Sequence, residues 1–219
     1  MIIAIDGTLA SGKGTIAKAL SAHYGLPHMD TGRLYRATGV AALKVGADFE
    51  DAEALAAIAA RLDLSDFDEA ELRTSEAGQA ASKAAAVPQV RAALLQLQRA
   101  FAHQPGGAVL DGRDIGTVIC PEADAKLWVD ADVEVRAARR HAELLSKGET
   151  LTLEQMIDQL KSRDARDRNR KDAPMQAAAD AHLIDTSDLT IDAAVEYARA
   201  AVEAALDKRH AASRPGTRS

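Results

Sequence analysis

The chain carries one cysteine, Cys120, so it can close no disulfide on itself and offers no thiolate cluster to a metal. Aromatic residues make up only 3% of its 219 residues. That scarcity makes the core aliphatic and removes the stacking platforms on which single-stranded nucleic acid is held. Positive charge is in deficit, since 27 Lys and Arg face 33 Asp and Glu, a formal net charge of −6. An acidic total argues against a long nucleic acid as partner and suits small anions met by local arginine clusters. No run approaches the ~20 apolar residues of a membrane span, and the chain opens on a short strand rather than a basic, then apolar, leader. The six histidines, His23, His28, His103, His141, His182 and His210, show no ligand spacing. These absences predict a cytoplasmic protein that needs neither membrane nor nucleic acid.

What is present is the pattern of an α/β domain. Short apolar runs at Ile2–Ile5, His28–Met29, Val109–Leu110, Lys126–Asp130 and Leu183–Asp185 read as buried strands. Helical patterns alternate with them: about Lys13–Tyr24, Thr31–Leu62 with a break near Gly46, Ser75–Ala85, Gln89–Phe101, Val133–Leu145, Leu153–Arg170 and Ile191–Leu206. Alternation of this kind predicts five strands in a mainly parallel sheet with helices on both faces. Residues 1–207 are expected to form one domain, and the polar stretch Lys208–Ser219, with Pro215 and Gly216, a disordered tail.

Gly7-Thr8-Leu9-Ala10-Ser11-Gly12-Lys13-Gly14-Thr15 has the G-x-x-x-x-G-K spacing of a phosphate-binding loop, with a strand before it and a helix after it. Glycines let successive backbone N–H groups point inward at phosphates, and the helix N-terminus adds partial positive charge. Lys13 is expected to bridge the β- and γ-phosphates of ATP. Gly14 stands where many such loops carry Ser or Thr. The combination Gly12-Lys13-Gly14-Thr15 is common in nucleoside monophosphate kinases, and Thr15 is left as the candidate hydroxyl for phosphate or Mg²⁺.

Three further segments bear chemistry. Asp30 or Thr31 caps a helix whose first turns carry Arg33, Tyr35 and Arg36, groups suited to an anion near the donor phosphates. Asp111-Gly112-Arg113-Asp114 follows a strand's carboxyl end, where open α/β sheets bind ligands. Arg113 there can clamp a phosphate, and a carboxylate can organise magnesium or bond a base. Finally, the apolar stripe Leu153, Met156, Ile157, Leu160 continues at helical spacing into Arg163, Asp167 and Arg170. An inward row of arginines demands an anionic partner, unless i,i+4 pairs such as Arg163–Asp167 merely lace a solvated helix.

Together these segments resemble bacterial cytidylate kinases from Ile3 to about Leu206, adding Ala80-Ala81-Ser82, Val90-Arg91, Gln98-Arg99-Ala100-Phe101 and Ile115-Gly116-Thr117-Val118. The resemblance implies a three-layer P-loop fold with a helical acceptor-binding insert at about 31–104 and a lid at about 139–172. It implies phosphoryl transfer from ATP to CMP or dCMP, with Mg²⁺, by a monomer. By the same resemblance Ser82, Arg91 and Asp114 read the cytosine, while Arg36 and Arg113 hold the acceptor phosphate. Arg163 and Asp167 contact the sugar hydroxyls, Arg170 bridges phosphates, and Tyr35 and Thr31 line the acceptor cleft. The implied catalytic set is Lys13, Arg36, Arg113 and Arg170.

The sequence departs from the family pattern in three places. Thr8-Leu9 replaces a usual Pro-Ser or Pro-Ala, and Thr31 replaces a commoner serine. The stretch from Leu62 to Ser75 is short, so a small antiparallel sheet common in the family is expected to be missing. The alternatives are a kinase for another small acceptor (UMP, AMP or shikimate) and a switch protein that hydrolyses ATP slowly.

Overall fold

The computed structural model describes residues 1–213. Five strands, β1 (Ile2–Gly7), β2 (His28–Asp30), β3 (Ala108–Gly112), β4 (Ala125–Asp130) and β5 (His182–Asp185), form one sheet in the order β2-β3-β1-β4-β5. Every pairing is parallel. β1 lies at the centre with Ile3, Ala4 and Ile5 wholly buried, which is why it reads as an unbroken apolar run.

The two faces of the sheet take different partners. Ile3 and Ile5 pack with Leu127 and Val129 against α1 (Lys13–Tyr24) and α9 (Ile191–Ser213), through Ile16, Leu20, Ala198 and Val202. Ala4 and Leu110 face the other way, toward Ala102 of α6 (Pro88–Ala102) and the π-turn Ile115–Ile119. Each fully buried Ile or Leu of these layers contributes about 2 kcal/mol by leaving water.

Between β2 and β3 the chain inserts α2 (Thr31–Lys44), α3 (Ala52–Ala60), α4 (Glu69–Leu72), α5 (Ser75–Ala84) and α6. These helices share a cluster of their own around Leu34, Leu55, Val90 and Leu94. Gly39 lets α2 and α5 cross closely, since a Cβ there would lie 2.7 Å from Cβ of Ala80. From Leu62 to Ser75 there is only a 3₁₀ turn at Leu64–Asp66 and the short α4, and the expected loss of a second sheet holds among the described residues. After β4, α7 (Val133–Leu145) and α8 (Leu153–Asn169) pair through Ala137, Leu144, Met156 and Leu160. A capping box of Thr152 and Gln155 starts α8.

Two expectations are corrected. Leu153 does not join the inward stripe of α8; it is exposed, and the buried face runs Met156, Leu160, Asp164, Asp167. Lys208–Ser213 are not tail but the last turns of α9. Arg209 docks that end, donating to the carbonyls of Glu122 and Ala123 at 3.0 and 3.1 Å and pairing with Asp124 at 3.2 Å. The rest of the expected tail, 214–219, lies outside the described residues.

Gly7 closes β1 with φ +152°, and a Cβ at that position would stand 1.9 Å from the Val129 carbonyl oxygen. No flexible side chain can yield there, because the obstacle is the backbone of the neighbouring strand. Gly7→Ala is expected to lower unfolding stability by about 3 kcal/mol or more in a urea titration. A near-wild-type midpoint would show that β4 gives way.

Candidate active site

The loop from Gly7 to Thr15 leaves β1 and enters α1. Its conformation is fixed from behind by side chains, which leaves its backbone N–H groups for a ligand. Thr8, wholly buried, donates its hydroxyl to Asp130 at 2.5 Å, and Ser11 donates to the Thr8 carbonyl at 3.0 Å. Thr186 donates to the Ser11 carbonyl at 2.8 Å. Ala10 and Gly12 both take positive φ, 61° and 91°. An alanine held there costs of order 1 kcal/mol, so the surrounding bonds over-determine the turn. Of the nine loop residues, Gly7, Thr8 and Ser11 lie buried beneath the turn, while Leu9, Ala10, Gly12, Lys13, Gly14 and Thr15 line an open cleft with Asp30, Arg36, Asp111 and Arg163.

Lys13 donates to the Thr8 carbonyl at 3.3 Å. Burial, and then the nearby Arg113 guanidinium, push its ammonium down to about 7, against the opposing pull of Asp111 and Asp30. A lysine so destabilised in its charged form gains most from an incoming anion.

A second cleft adjoins the first and shares Lys13. Thr31, Tyr35, Arg36, Ser82, Arg91, Arg113, Asp114, Arg163, Asp167 and Arg170 all line it. The elements converge from every side: α2 supplies Thr31, Tyr35 and Arg36; α5 Ser82; α6 Arg91; the turn after β3 Arg113 and Asp114; α8 Arg163 and Asp167. Asp114, 5% exposed, takes Arg91 on one oxygen and Arg170 on the other at 3.1 Å. Arg91 also donates to the Tyr35 hydroxyl at 3.2 Å and lies 5.7 Å from that ring's centroid. Asp167 takes Arg113 at 3.3 Å and approaches Arg163 at 4.0 Å. Arg36 pairs with Asp30 at 2.6 Å, and Thr31 donates to the Asp111 carbonyl at 2.8 Å. Six cationic side chains line this cleft against four acidic ones, in a chain whose total is acidic. Burial and Arg113 hold Arg163 down to about 10. The excess of positive charge calls for an anion.

One predicted neighbour does not join: Arg33 turns outward to Glu69 at 2.7 Å, so only Arg36 of that pair faces the cleft. Other residues were not foreseen. Asp6 accepts the backbone N–H of Ile115 and Gly116, both at 2.8 Å, and so clamps the Asp111–Asp114 turn beside the phosphate loop. Its burial pushes the carboxyl up to about 7. His28 bonds Asp111 at 2.7 Å. Buried Arg136 of α7 donates to the Leu9 carbonyl at 3.3 Å, the Ala131 carbonyl at 2.8 Å and Asp164 at 2.8 Å. Arg139 bonds Thr186, and both line a third cavity with Ala10, Gly12, Thr15 and Ile191. Arg136, Arg139 and Arg140 sit at i, i+3, i+4, and that spacing was the one available signal.

A phosphate cradle flanked by one apolar-walled cavity and one arginine-rich cleft can hold two anionic molecules end to end. The comparisons with known proteins agree with that geometry. The family model described as cytidylate kinase matches residues 3–204. A cytidylate kinase of Methylocella silvestris is 53% identical over 211 residues, 96% of this chain and 98% of that one. Those of Caulobacter vibrioides and Xanthobacter autotrophicus are 55% and 56% identical, over 92% and 93% of this chain and 95% and 98% of theirs. A crystal structure of an uncharacterized protein from Eubacterium ventriosum shares the fold, with a TM-score of 0.54 at 14% identity, over 93% of this chain and 98% of that one. With all of its sheet but Ile2, its phosphate loop and its second cleft inside the matched region, the chain belongs to the cytidylate kinase family.

Proposed function

We propose that the protein transfers the terminal phosphoryl group of ATP to CMP or dCMP, giving ADP and CDP or dCDP. The observation that carries this reading is Lys13, which lines both the phosphate cleft and the arginine-rich cleft beside it. A reacting phosphoryl group placed at Lys13 faces a donor on one side and an acceptor on the other. In-line transfer requires that arrangement, and little covalent help from the protein.

The roles proposed here are those of the family resemblance, and the positions of the residues support them. Backbone N–H groups of the loop and Lys13 take the donor phosphates, and Arg139, Thr186 and Ile191 border the cavity for its base. Arg36 and Arg113 hold the acceptor phosphate, whose oxygen forms the new bond to phosphorus as the bond to the β-phosphate oxygen breaks. Arg163 and Arg170 spread positive charge over the transferring group. For Arg170 this means exchanging Asp114, its partner at 3.1 Å, for phosphate. Asp114, Arg91 and Ser82 meet the cytosine, which presents both an amine donor and ring acceptors. Asp167 and Arg163 meet the sugar hydroxyls. Helices α2 to α6 form the acceptor-binding insert and α7–α8 the lid. A closed lid excludes water, which would otherwise accept the phosphoryl group.

The chain's oxygens suit Mg²⁺. The hydroxyl of Thr15 and the carboxylates of Asp30 and Asp111 line the phosphate cleft, yet no three metal-ligating side chains converge among the described residues. That is the donor set of an ion held largely by phosphates and water. Thr15 would hold it, with Asp111 or Asp30 offering the oxygen that His28 or Arg36 leaves free. When bound it neutralises charge on the donor's outer phosphates. The reading includes a monomer acting in the cytoplasm: one chain supplies the charges for both substrates, and among the described residues no helix is long and apolar enough to cross a membrane.

ADP release in a coupled assay is expected to rise with CMP and dCMP above the ATP-only background, and less with UMP or AMP; no stimulation by either cytidine nucleotide would overturn the reading. In the same assay Lys13→Ala is expected to lower kcat at least about a hundredfold. Asp114→Ala should raise the KM for CMP at least about tenfold and weaken base choice.

Binding of ATP restores the charged form of Lys13, whose pKa is about 7 in the free protein. At pH 8 the free lysine is mostly neutral, so binding takes up a proton; at pH 6 it is already charged and uptake is small. Calorimetry in two buffers of different ionisation enthalpy reads this difference, and Lys13→Met should abolish it. Equal uptake in wild type and Lys13→Met would place the proton elsewhere.

A further inference from the structure

Ser82 is 2% exposed, and its hydroxyl has two protein partners. Arg166 Nη1 donates to Ser82 Oγ at 2.7 Å, and Ser82 Oγ in turn donates to Asp167 Oδ1 at 3.3 Å. A serine hydroxyl owns one hydrogen and two lone pairs. Here the hydrogen is committed to a carboxylate, which can only accept, and one lone pair is committed to a guanidinium, which can only donate. What remains toward the cleft is a single lone pair.

Building on the proposed function, we infer that Arg166 is a positioning residue for base selection: with Asp167 it fixes the Ser82 hydroxyl as an acceptor, so that Ser82 bonds the 4-amino group of cytosine and repels the 4-carbonyl of uracil. Arg166 lies one turn beyond Arg163 on α8, half-buried, and reaches across to α5. Asp167 keeps its other oxygen on Arg113 at 3.3 Å. The same carboxylate therefore sees a phosphate-holding arginine on one side and polarises the base reader on the other. If Arg166 is removed, only the longer 3.3 Å bond to Asp167 still orients the hydroxyl, so its hydrogen can turn into the cleft at lower cost and a carbonyl becomes acceptable where only an amine was.

The test compares kcat/KM for CMP and UMP in wild type, Arg166→Met, Ser82→Ala and the double variant. Arg166→Met is expected to lose about tenfold in preference for CMP over UMP, the discrimination of one hydrogen bond. The double variant should lose no more than Ser82→Ala alone, because Arg166 acts through Ser82. Arg166→Lys, which keeps an N–H donor, should recover most of the preference. A CMP analogue with hydrogen in place of the 4-amino group should be insensitive to Ser82→Ala, having nothing to donate. A merely structural arginine would slow CMP, UMP and the analogue alike and would add to Ser82→Ala; either result overturns the inference. Should Arg166→Met fail to fold, Arg166→Lys and the analogue on Ser82→Ala decide it. A wild-type protein with no CMP-stimulated turnover would instead remove the functional reading itself, before any variant is compared.

Discussion

A guanidinium cannot be buried alone, and this structure buries several around one small volume. The answer is two shared carboxylates, Asp114 between Arg91 and Arg170, and Asp167 between Arg113 and Arg163. Asp114 joins α6 and the end of α8 to the turn after β3, and Asp167 joins α8 to that same turn. The inserted helices and the α7–α8 pair are thus drawn onto the sheet by charge as well as by their own apolar clusters. Desolvation makes such pairs poor sources of net stability, while breaking one by removing a partner costs about 3–5 kcal/mol. What they fix is an arrangement, with four guanidinium groups held at set places around one cleft. Arginines already in position need little further ordering when phosphate replaces a carboxylate.

Much of this was legible in the sequence, for identifiable reasons. Buried parallel strands are apolar on both faces, so Ile2–Ile5 and Lys126–Asp130 stood out, and α7 was read with its observed ends because helix periodicity is local. The phosphate loop is a contiguous motif whose function lies in its backbone. The inward charge of α8 followed from extending an apolar stripe, although Leu153 proved to lie outside it and Asp164 within it. What failed was whatever depended on a distant partner. Arg33 and Arg36 look alike from spacing, and only Glu69, contributed by α4, separates them. The end of α9 looked like a tail because its dock, at Glu122–Asp124, is 86 residues earlier in one of its contacts.

The identity of the base stands on a different footing from the phosphate chemistry. Backbone N–H groups, a lysine and converging arginines specify phosphate on physical grounds alone. Cytosine comes with the family, and the physical counterpart proposed for it is a set of hydrogen-bond polarities at Ser82, Arg91 and Asp114 that spacing cannot reveal.

Arg136 links the surroundings of the two clefts. It binds Asp164 across the α7–α8 contact at 2.8 Å and the Ala131 carbonyl at the foot of α7 at 2.8 Å, but reaches Leu9 of the phosphate loop only at 3.3 Å. The bond to Asp164 ties the two helices to each other, while those to Ala131 and Leu9 seat the pair on the segment after β4 and on the phosphate loop. One guanidinium thus joins three pieces of backbone that border both clefts. A change at Arg136 reaches the loop and the arginine-bearing helix α8 together, although Arg136 itself lines neither cleft.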